Sequence, residues 1–153
     1  MNLKVKKLHK NAIIPVYATQ GAACFDLHAM FEDGEIQSRS IDYEYTDSCT
    51  FRTGLAFEVP EGNVMLVFSR SGHGFNHDVR LANCVGVIDS DYRGELFIRL
   101  TKDTNMKSDE MTVKHGDRIA QAMVISVTKM TLIESDELSD TVRGTGGLGS
   151  TGS

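Results

Sequence analysis

A chain of 153 residues is the size of one compact domain. Its 41% hydrophobic and 24% charged residues are ordinary for a globular protein, so composition alone assigns no function. The formal net charge of -5 argues against a general nucleic-acid-binding face, which would be basic, but it leaves room for a local basic pocket.

The amino terminus and the cysteines indicate a cytoplasmic protein. Residues 1–17 contain lysines before a short apolar run, without the longer apolar core and cleavage site of a secretory signal. No stretch approaches the length of a membrane span. Cys24, Cys49 and Cys84 are widely spaced, and we interpret them as small buried residues in a reducing compartment. We expect the cytoplasm, or the nucleus or host cytoplasm for a viral protein, and no secretion.

Apolar residues recur mostly at every second position, which is typical of strands half buried against a core. Phe51–Val59 and Leu96–Leu100 alternate, Met65–Phe68 is continuously apolar, and Ile119–Val127 is apolar and β-branched. No window of ten residues has helical periodicity, which leaves at most a short helix near Gly72–Arg80. The sequence therefore predicts an all-β sandwich or barrel of many short strands.

Two polar stretches stand outside this pattern. Glu32–Ser48 is predicted to form strand edges and a loop. Residues 143–153 contain five glycines and no acidic residue, so they cannot bury enough surface to fold alone. We therefore divide the chain into a folded all-β domain, 1–142, and a mobile tail, 143–153. The tail's backbone N–H groups and its Arg143, Ser150 and Thr151 could bind phosphate, although a disordered end is the simpler interpretation.

Ser69–Gly72 follows a predicted strand and reads Ser-Arg-Ser-Gly. A guanidinium, hydroxyl groups and a glycine suit phosphate oxygens, because all of them present hydrogen-bond donors. A plain strand-to-loop turn would have the same composition. His73 and His77 are four residues apart, but no third ligand accompanies them, so we do not predict a metal site there.

Two apolar strands are predicted to flank an Asp-Ser-Asp-Tyr turn at residues 89–92. Turns favour aspartate and serine, and this alone would account for Asp89 and Asp91. The bend of such a hairpin also offers backbone donors and acceptors to a flat base. Asp89 follows an apolar pair, so we expect it to be partly buried and suited to hold a water. Tyr92 is expected to pack against a sugar ring or to cover the core.

Two further carboxylates start or interrupt predicted strands. Asp117 and Arg118 are expected to pair with each other, and Gln121 is then the better candidate for a ligand contact. Asp26 lies in an apolar setting and needs a partner, either an arginine or a hydrated metal ion.

In their order along the chain, these segments resemble the five motifs of the trimeric deoxyuridine triphosphatases (dUTPases). They read AACFDLHA at 22–29, SRSG at 69–72, NCVGVIDSDYRGEL at 83–96, GDRIAQ at 116–121 and RGTGGLGSTG at 143–152. The resemblance implies a jelly-roll-like β-barrel and a homotrimer with three active sites shared between subunits. It also implies hydrolysis of dUTP to dUMP and pyrophosphate, which would limit uracil in DNA and supply dUMP for dTMP synthesis.

The third motif carries the chemistry that the resemblance implies. Asp89 would be the general base that orients water for in-line attack on the α-phosphorus. Tyr92 would pack under the deoxyribose and leave no room for a 2′-hydroxyl. Uracil would be read in a tight hairpin, which excludes the methyl group of thymine, by the side chain of Asn83 and the backbone of Gly86, Val87 and Ile88.

The other motifs would bind phosphates and support the site. The phosphates would contact Arg70, Ser71, Gly72 and Gln121. The tail would close as a lid that includes Arg143, Leu148, Gly149, Ser150 and Thr151. Asp26 and Asp117 would have supporting roles. The resemblance implies Mg²⁺ held mainly by triphosphate oxygens and waters, with no protein ligand predicted.

The chain departs from the dUTPase motifs at three places. Cys24 replaces the usual glycine of the first motif, and His73–His77 replaces a segment that often begins Leu-Ala. Leu148 stands where an aromatic residue normally stacks on uracil. A leucine covers the base without stacking, a difference on the order of 1 kcal/mol.

Three other functions are alternatives to dUTP hydrolysis. A deoxycytidine triphosphate deaminase on the same fold needs a glutamate within the strand that here reads Leu96–Leu100, which has no carboxylate. A dUTP-binding regulatory module would signal through a protein partner. The presence of Asp89 and Tyr92 argues against a loss of catalysis and leaves such a module open as a second role. A purely structural jelly-roll subunit would have no reason to keep Asp89 and Arg143 in these contexts.

Overall fold

The computed structural model describes residues 2–33, 38–41, 48–103 and 110–147. Within them the chain is built from short strands and one helix, as the alternating pattern predicts. The strands are β1 Lys4–Lys7, β2 Phe25–His28, β3 Ser38–Ile41, β4 Ser48–Arg52, β5 Leu55–Glu58, β6 Asn63–Phe68, β7 Val79–Leu81, β8 Val85–Ile88, β9 Phe97–Lys102, β10 Met111–Lys114 and β11 Arg118–Ser126. The helix is α1, Ser71–His77.

All recorded strand pairs are antiparallel. The largest sheet has four strands in the order β2-β11-β6-β8, and a second has three in the order β4-β9-β7. Two further pairs, β1-β5 and β10-β3, complete the described sheets. Side chains from all four groups meet in one core, whose fully buried members include Leu27, Ile41, Leu55, Met65, Leu100, Val113 and Ile119. The all-β prediction is confirmed, with little helix.

One predicted strand is found as expected, and another predicted run proves to be two strands. Ile119–Val127 is confirmed as a strand, shifted by one residue at each end. The single alternating run Phe51–Val59 is in fact two strands, because the chain turns between them: β4 pairs with β9, while β5 pairs with β1. Period-two alternation reports which face of a strand is buried, not which sheet the strand joins. Within the polar stretch, β3 is the described strand, and residues 34–37 and 42–47 lie outside the described residues.

The cysteine prediction is wrong for one position. Cys24 and Cys49 are half buried, but Cys84 is exposed. Cys84 lies in the tight turn between β7 and β8 with a φ of 62°, and its N–H donates to the Leu81 carbonyl at 3.2 Å. A turn that projects from the sheet cannot bury its side chain.

Beyond β11 the described chain, up to Gly147, has neither strand nor helix and is almost entirely exposed. This segment carries large apolar side chains in contact with solvent, among them Met130, Leu132, Ile133, Leu138 and Val142. The division at residue 142 stays a prediction. None of the helical residues described forms a stretch long and apolar enough to cross a membrane.

Candidate active site

Two strands of the large sheet and the start of α1 enclose a polar cavity of about 350 Å³, which we call the arginine cavity. β2 contributes Asp26, β11 contributes Arg118 and Gln121, and the segment after β6 contributes Arg70, Ser71 and Gly72. These strands are neighbours because β11 pairs with β2 on one side and with β6 on the other. The structure thus brings together residues that three separate motifs predicted, together with Ala18, Ala22, Ala23 and Cys24.

Asp26 lies between two guanidinium groups. Its Oδ1 is 3.4 Å from Arg70 Nε, and its Oδ2 accepts from Arg118 Nη1 at 3.2 Å. Only 16% of the Asp26 side chain is exposed, so the predicted need for a partner is met by arginine. The two cations are therefore held side by side on the wall of the cavity, an arrangement that suits several phosphate oxygens.

The predicted pair of Asp117 with Arg118 is wrong. Arg118 reaches Asp26 instead, and Asp117 Oδ2 accepts a hydrogen bond from the backbone N–H of Lys114 at 2.8 Å. Successive residues that enter a strand point to opposite faces, so these neighbours do not meet. Asp117 closes the turn between β10 and β11, and β11 begins at the next residue, Arg118.

Gln121 fixes the backbone of the Ser69–Gly72 segment from across the sheet. It is paired with Asp26 on β2 and with Phe68 on β6, and its Nε2 donates to the Ser69 carbonyl at 2.9 Å. Cys24 lines the same cavity, and burial together with the Asp26 carboxylate raises the pKa of its thiol. The neutral thiol is a poor nucleophile, so Cys24 contributes packing rather than chemistry.

A second cavity, of about 640 Å³, opens between β8 of the large sheet and β7 and β9 of the three-stranded sheet. We call it the edge-strand cavity, because β8 is the last strand of its sheet and pairs only with β6 among the described strands. Asn83, Gly86 and Ile88 line it, as the base-reading prediction requires, together with Ser48, Val67, Arg80, Leu81, Ala82, Leu96, Phe97, Ile98, Arg99 and Thr101. The side chain of Val87 is exposed on the other face of β8.

Gly86 lets β8 lie close against β6. A Cβ atom at this position would stand 3.0 Å from the Val67 Cβ atom, tighter than nine in ten real contacts of that kind. The unpaired edge of a strand presents its backbone N–H and C=O groups to whatever lies beside it. Here that edge adjoins a cavity, so the strand can offer a planar ligand donors and acceptors without a dedicated side chain.

Asp89 follows β8 directly and is exposed, so the expectation that it is partly buried is wrong for this chain on its own. The turn at 89–92 exists, since the Tyr92 N–H donates to the Asp89 carbonyl at 3.2 Å. It is not the bend of a β-hairpin, however: β8 pairs with β6, whereas β9 pairs with β4 and β7. The turn carries the chain from one sheet to the other, and Asp89 lies at its start.

Tyr92 does not cover the core. Its side chain is 45% exposed, and its hydroxyl donates to the Glu95 carbonyl at 3.0 Å. The ring lies over Gly94, where a Cβ atom would stand 2.3 Å from the tyrosine oxygen. The aromatic face is thus held at the surface and is free to pack against a ligand.

Arg52 and Glu95 form a support that sequence reasoning missed. The guanidinium donates to the Glu95 carboxylate from Nε at 3.0 Å and from Nη2 at 2.9 Å, and Gly54 N–H donates to the same carboxylate at 2.9 Å. Arg52 also pairs with Glu32. Glu95 is separated from Arg52 by 43 positions, so no local spacing could have revealed the pair.

Predicted site residues therefore fall into separate places. The two cavities share no lining residue. Ile88 lies opposite Met65 on β6, which puts Asp89 level with Val64 near the start of that strand. Arg70 lies beyond Phe68, at the other end of β6. At about 3.3 Å per residue, six residues separate these levels by roughly 20 Å. Arg143 is exposed and donates to the Gly146 carbonyl at 2.9 Å, and Leu148, Gly149, Ser150 and Thr151 lie outside the described residues.

Comparison with known proteins identifies the family. The sequence profile of the dUTPase family matches residues 10–152. The chain belongs to the dUTPase family. It is 43% identical to the deoxyuridine 5'-triphosphate nucleotidohydrolase of Nautilia profundicola over 152 residues, which cover 99% of each chain.

Solved structures agree at the level of the fold. A variant of the Staphylococcus bacteriophage 80alpha dUTPase with dUpNHpp superposes with a TM-score of 0.83 at 25% identity, covering 99% of each chain. A variant dUTPase from phage phi11 of S. aureus, described as coordinating a structural Mg(II) ion, gives 0.74 at 20% identity and covers 90% of this chain and 98% of that one.

Proposed function

We propose that this protein hydrolyses dUTP to dUMP and pyrophosphate, with Asp89 as the general base. The observation that carries the proposal is the arginine cavity, whose paired guanidinium groups suit a phosphate chain. Asp89 accepts a proton from a water whose oxygen attacks the α-phosphorus in line with the departing pyrophosphate. The bond from the α-phosphorus to the bridging oxygen breaks, and that oxygen keeps the electron pair.

Base and sugar selection is assigned to the edge-strand cavity and its rim. The open edge of β8, from Gly86 to Ile88, and the Asn83 side chain offer hydrogen-bonding groups to the polar edge of uracil. The exposed face of Tyr92 packs under the deoxyribose, where a 2′-hydroxyl would collide with the ring. We assign the exclusion of the thymine methyl group to the close packing of β8 against β6 at Gly86, rather than to the bend of a hairpin.

Phosphate binding is assigned to Arg70, Ser71, Gly72 and Gln121, with Asp26 and Asp117 in supporting roles. Mg²⁺ supplies charge neutralisation on the triphosphate. The described residues contain no group of three histidine, cysteine or acidic side chains that could hold an ion. Both Asp26 oxygens face arginines, so this donor set fits an ion bound through phosphate oxygens and waters.

We also propose that the active protein is a homotrimer with sites shared between subunits. The separation of roughly 20 Å between the levels of Asp89 and Arg70 on β6 is longer than an extended triphosphate chain. This separation favours a ligand that meets Asp89 of one copy and Arg70 of another. Residues 143–153 act as a lid over the ligand, with Arg143, Ser150 and Thr151 on its phosphates and Leu148 and Gly149 over the base.

In the cell, such an enzyme limits uracil in DNA and supplies dUMP for dTMP synthesis. We place this activity in the cytoplasm, or in the nucleus or host cytoplasm for a viral protein. Deletion of 143–153 is expected to abolish most turnover while sedimentation still reports a trimer; a fully active truncated protein would rule out the lid.

The activity is tested by measuring pyrophosphate release with Mg²⁺ from dUTP, dTTP, dCTP and UTP. We expect dUTP to be turned over far faster than the others, and Asp89→Asn to bind dUpNHpp while losing most turnover. Equal rates with all four nucleotides would refute the base-reading assignment. Normal turnover by Asp89→Asn would require another base.

Sharing of sites between subunits has its own test. Asp89→Asn and Arg70→Ala should each be nearly inactive. After the two variants are mixed, unfolded and refolded together, some sites combine an intact Asp89 with an intact Arg70, so activity should return. Mixtures as inactive as either variant would show that both residues act within one chain.

A further inference from the structure

The Arg70 guanidinium is fixed on two of its three nitrogens. Nε lies 3.4 Å from Asp26 Oδ1, and Nη1 donates to the Arg118 carbonyl at 3.0 Å. Nη1 also lies 3.2 Å from His73 Nε2. A guanidinium has one proton on Nε and two on each terminal nitrogen. Both Nη1 protons are thus directed at His73 and Arg118, whereas Nη2 has no recorded partner among the described residues and is available to a ligand.

His73 is bound to Arg70 through both its backbone and its side chain. It lies in the first turn of α1, where its N–H donates to the Arg70 carbonyl at 3.1 Å. Its side chain is buried, with only 9% of the residue exposed. Burial, followed by the nearby Arg70 and His77, lowers the pKa of His73 to about 4. The imidazole is therefore neutral near pH 7, and its Nε2 lone pair can accept a hydrogen bond from the Arg70 guanidinium.

This arrangement leaves one polar group unsatisfied. A neutral imidazole that accepts at Nε2 carries its proton on Nδ1, and Nδ1 is buried without a hydrogen-bond partner among the described residues. A buried donor without a partner costs folding free energy, which a leucine at this position would not. Packing alone therefore does not account for a histidine here, whereas its contact with Arg70 does.

We infer that His73 is a positioning residue for phosphate binding: it accepts from Arg70 Nη1 and so holds the guanidinium with Nη2 directed into the arginine cavity. The inference rests on the proposed function, because it takes Arg70 as a ligand of the triphosphate. Without the imidazole, one Nη1 proton loses its acceptor and the guanidinium is held by Asp26 and the Arg118 carbonyl alone. A less constrained guanidinium pays more conformational entropy when it binds phosphate.

The test compares His73→Leu, His73→Gln and His77→Leu. His77 lies one turn later on α1, so His77→Leu makes the same chemical change next to the site and serves as the matched control. We expect His73→Leu to raise the KM for dUTP by roughly five- to tenfold with little change in kcat. The effect is smaller than the loss of a charged hydrogen bond to the ligand itself, because the lost bond only holds Arg70 in place. His73→Gln, whose amide oxygen can accept from Nη1, should restore most of the affinity. The control should keep the wild-type KM.

Two further measurements separate positioning from packing. Because His73→Leu removes the unsatisfied donor, its midpoint of urea unfolding should equal or exceed that of the wild type. Calorimetric binding of dUpNHpp reports the same contact without turnover, so the affinities of the variants decide the role of His73 even if the wild type fails to hydrolyse dUTP. Such a failure would refute the proposed function alone. Wild-type affinity in His73→Leu, or an equal loss in His73→Gln, would refute the role of His73.

Discussion

Asp26 on β2 accepts a hydrogen bond from Arg118 at the start of β11, although the two residues are separated by 92 positions in the chain. The same carboxylate faces Arg70 in the segment after β6, so one acidic side chain holds cations from two separate segments of the chain. The arrangement exists because β11 lies between β2 and β6 in the sheet. It concentrates positive charge in a protein of net charge -5.

Asp26→Asn tests what this carboxylate contributes to stability. The change keeps the shape of the side chain but leaves Arg70 and Arg118 facing each other without a counter-charge. Because Arg118 is half exposed, we expect a loss of only about 1 kcal/mol in the free energy of urea unfolding. The loss should shrink in high salt. Asp33→Asn removes an exposed pair with Lys10 and should leave the unfolding midpoint unchanged; an equal loss in both variants would contradict the assignment.

Gly86→Ala tests the close approach of β8 to β6. The added Cβ atom would stand 3.0 Å from the Val67 Cβ atom, and both belong to paired strands that cannot move apart freely. We expect a loss of about 1–3 kcal/mol in unfolding free energy, as in other overpacked cores, together with weaker discrimination between dUTP and dTTP. Gly21→Ala, which meets nothing within 4 Å, is the control. Unfolding curves that coincide for the two variants would show that the contact is easily relieved.

Gly94→Ala is expected to alter selectivity without altering stability. Its Cβ atom would collide with the hydroxyl end of Tyr92, an exposed side chain that can rotate away. The displaced ring would no longer exclude a 2′-hydroxyl, so the ratio of kcat/KM for dUTP to that for UTP should fall. Tyr92→Ala should show the same change to a larger extent. Unchanged ratios in both variants would remove Tyr92 from the sugar site.

Glu95→Gln tests the support beneath the turn at 89–92. The glutamine keeps one acceptor but points an NH₂ group at donors from Arg52 and Gly54. The Glu95 side chain is 11% exposed while that of Arg52 is 38% exposed, so solvent screens part of the loss. We expect about 2 kcal/mol less unfolding free energy. Glu58→Gln, which loses an exposed pair with Lys4, should leave the midpoint unchanged, and a similar midpoint in Glu95→Gln would show the cluster to be dispensable.

The lowered pKa of His73 predicts a pH dependence of stability. Its folded pKa of about 4 lies below the ordinary value of 6.5, because burial and the neighbouring Arg70, His77 and Arg118 outweigh the opposing effect of Asp117. Between these values the unfolded chain binds a proton that the folded chain does not. The free energy of unfolding therefore falls as the pH is lowered from about 6.5 to about 4. Below about pH 4, His73 causes no further loss.

His73→Gln removes this titration. Its unfolding free energy, taken relative to the wild type at each pH, should rise as the pH falls from 7 to 4. Urea titrations at several pH values measure this difference, and parallel curves for the two proteins would show that His73 does not titrate as described.

The sequence by itself determined the class of fold, and it singled out several residues that line the two cavities. Alternating apolar residues predict strands wherever one face is buried, and β11 lies within one residue of its predicted bounds. The helix at Ser71–His77 overlaps the range near Gly72–Arg80 where at most a short helix was predicted. The Ser-Arg-Ser-Gly and Asp-Ser-Asp-Tyr segments are recognisable because turn chemistry and ligand chemistry act over a few adjacent residues.

Only the tertiary structure decided how these segments meet. Strand alternation carries no information on pairing, so the separation of β8 and β9 into different sheets could not be read from the chain. The partners Asp26 with Arg118 and Arg52 with Glu95 are likewise set by sheet order over long separations. His73 is the exception that sequence could have reached, because it lies three residues after Arg70 in a predicted helix. The role inferred for His73 still depended on burial, which decides whether an imidazole stays neutral and can accept a hydrogen bond.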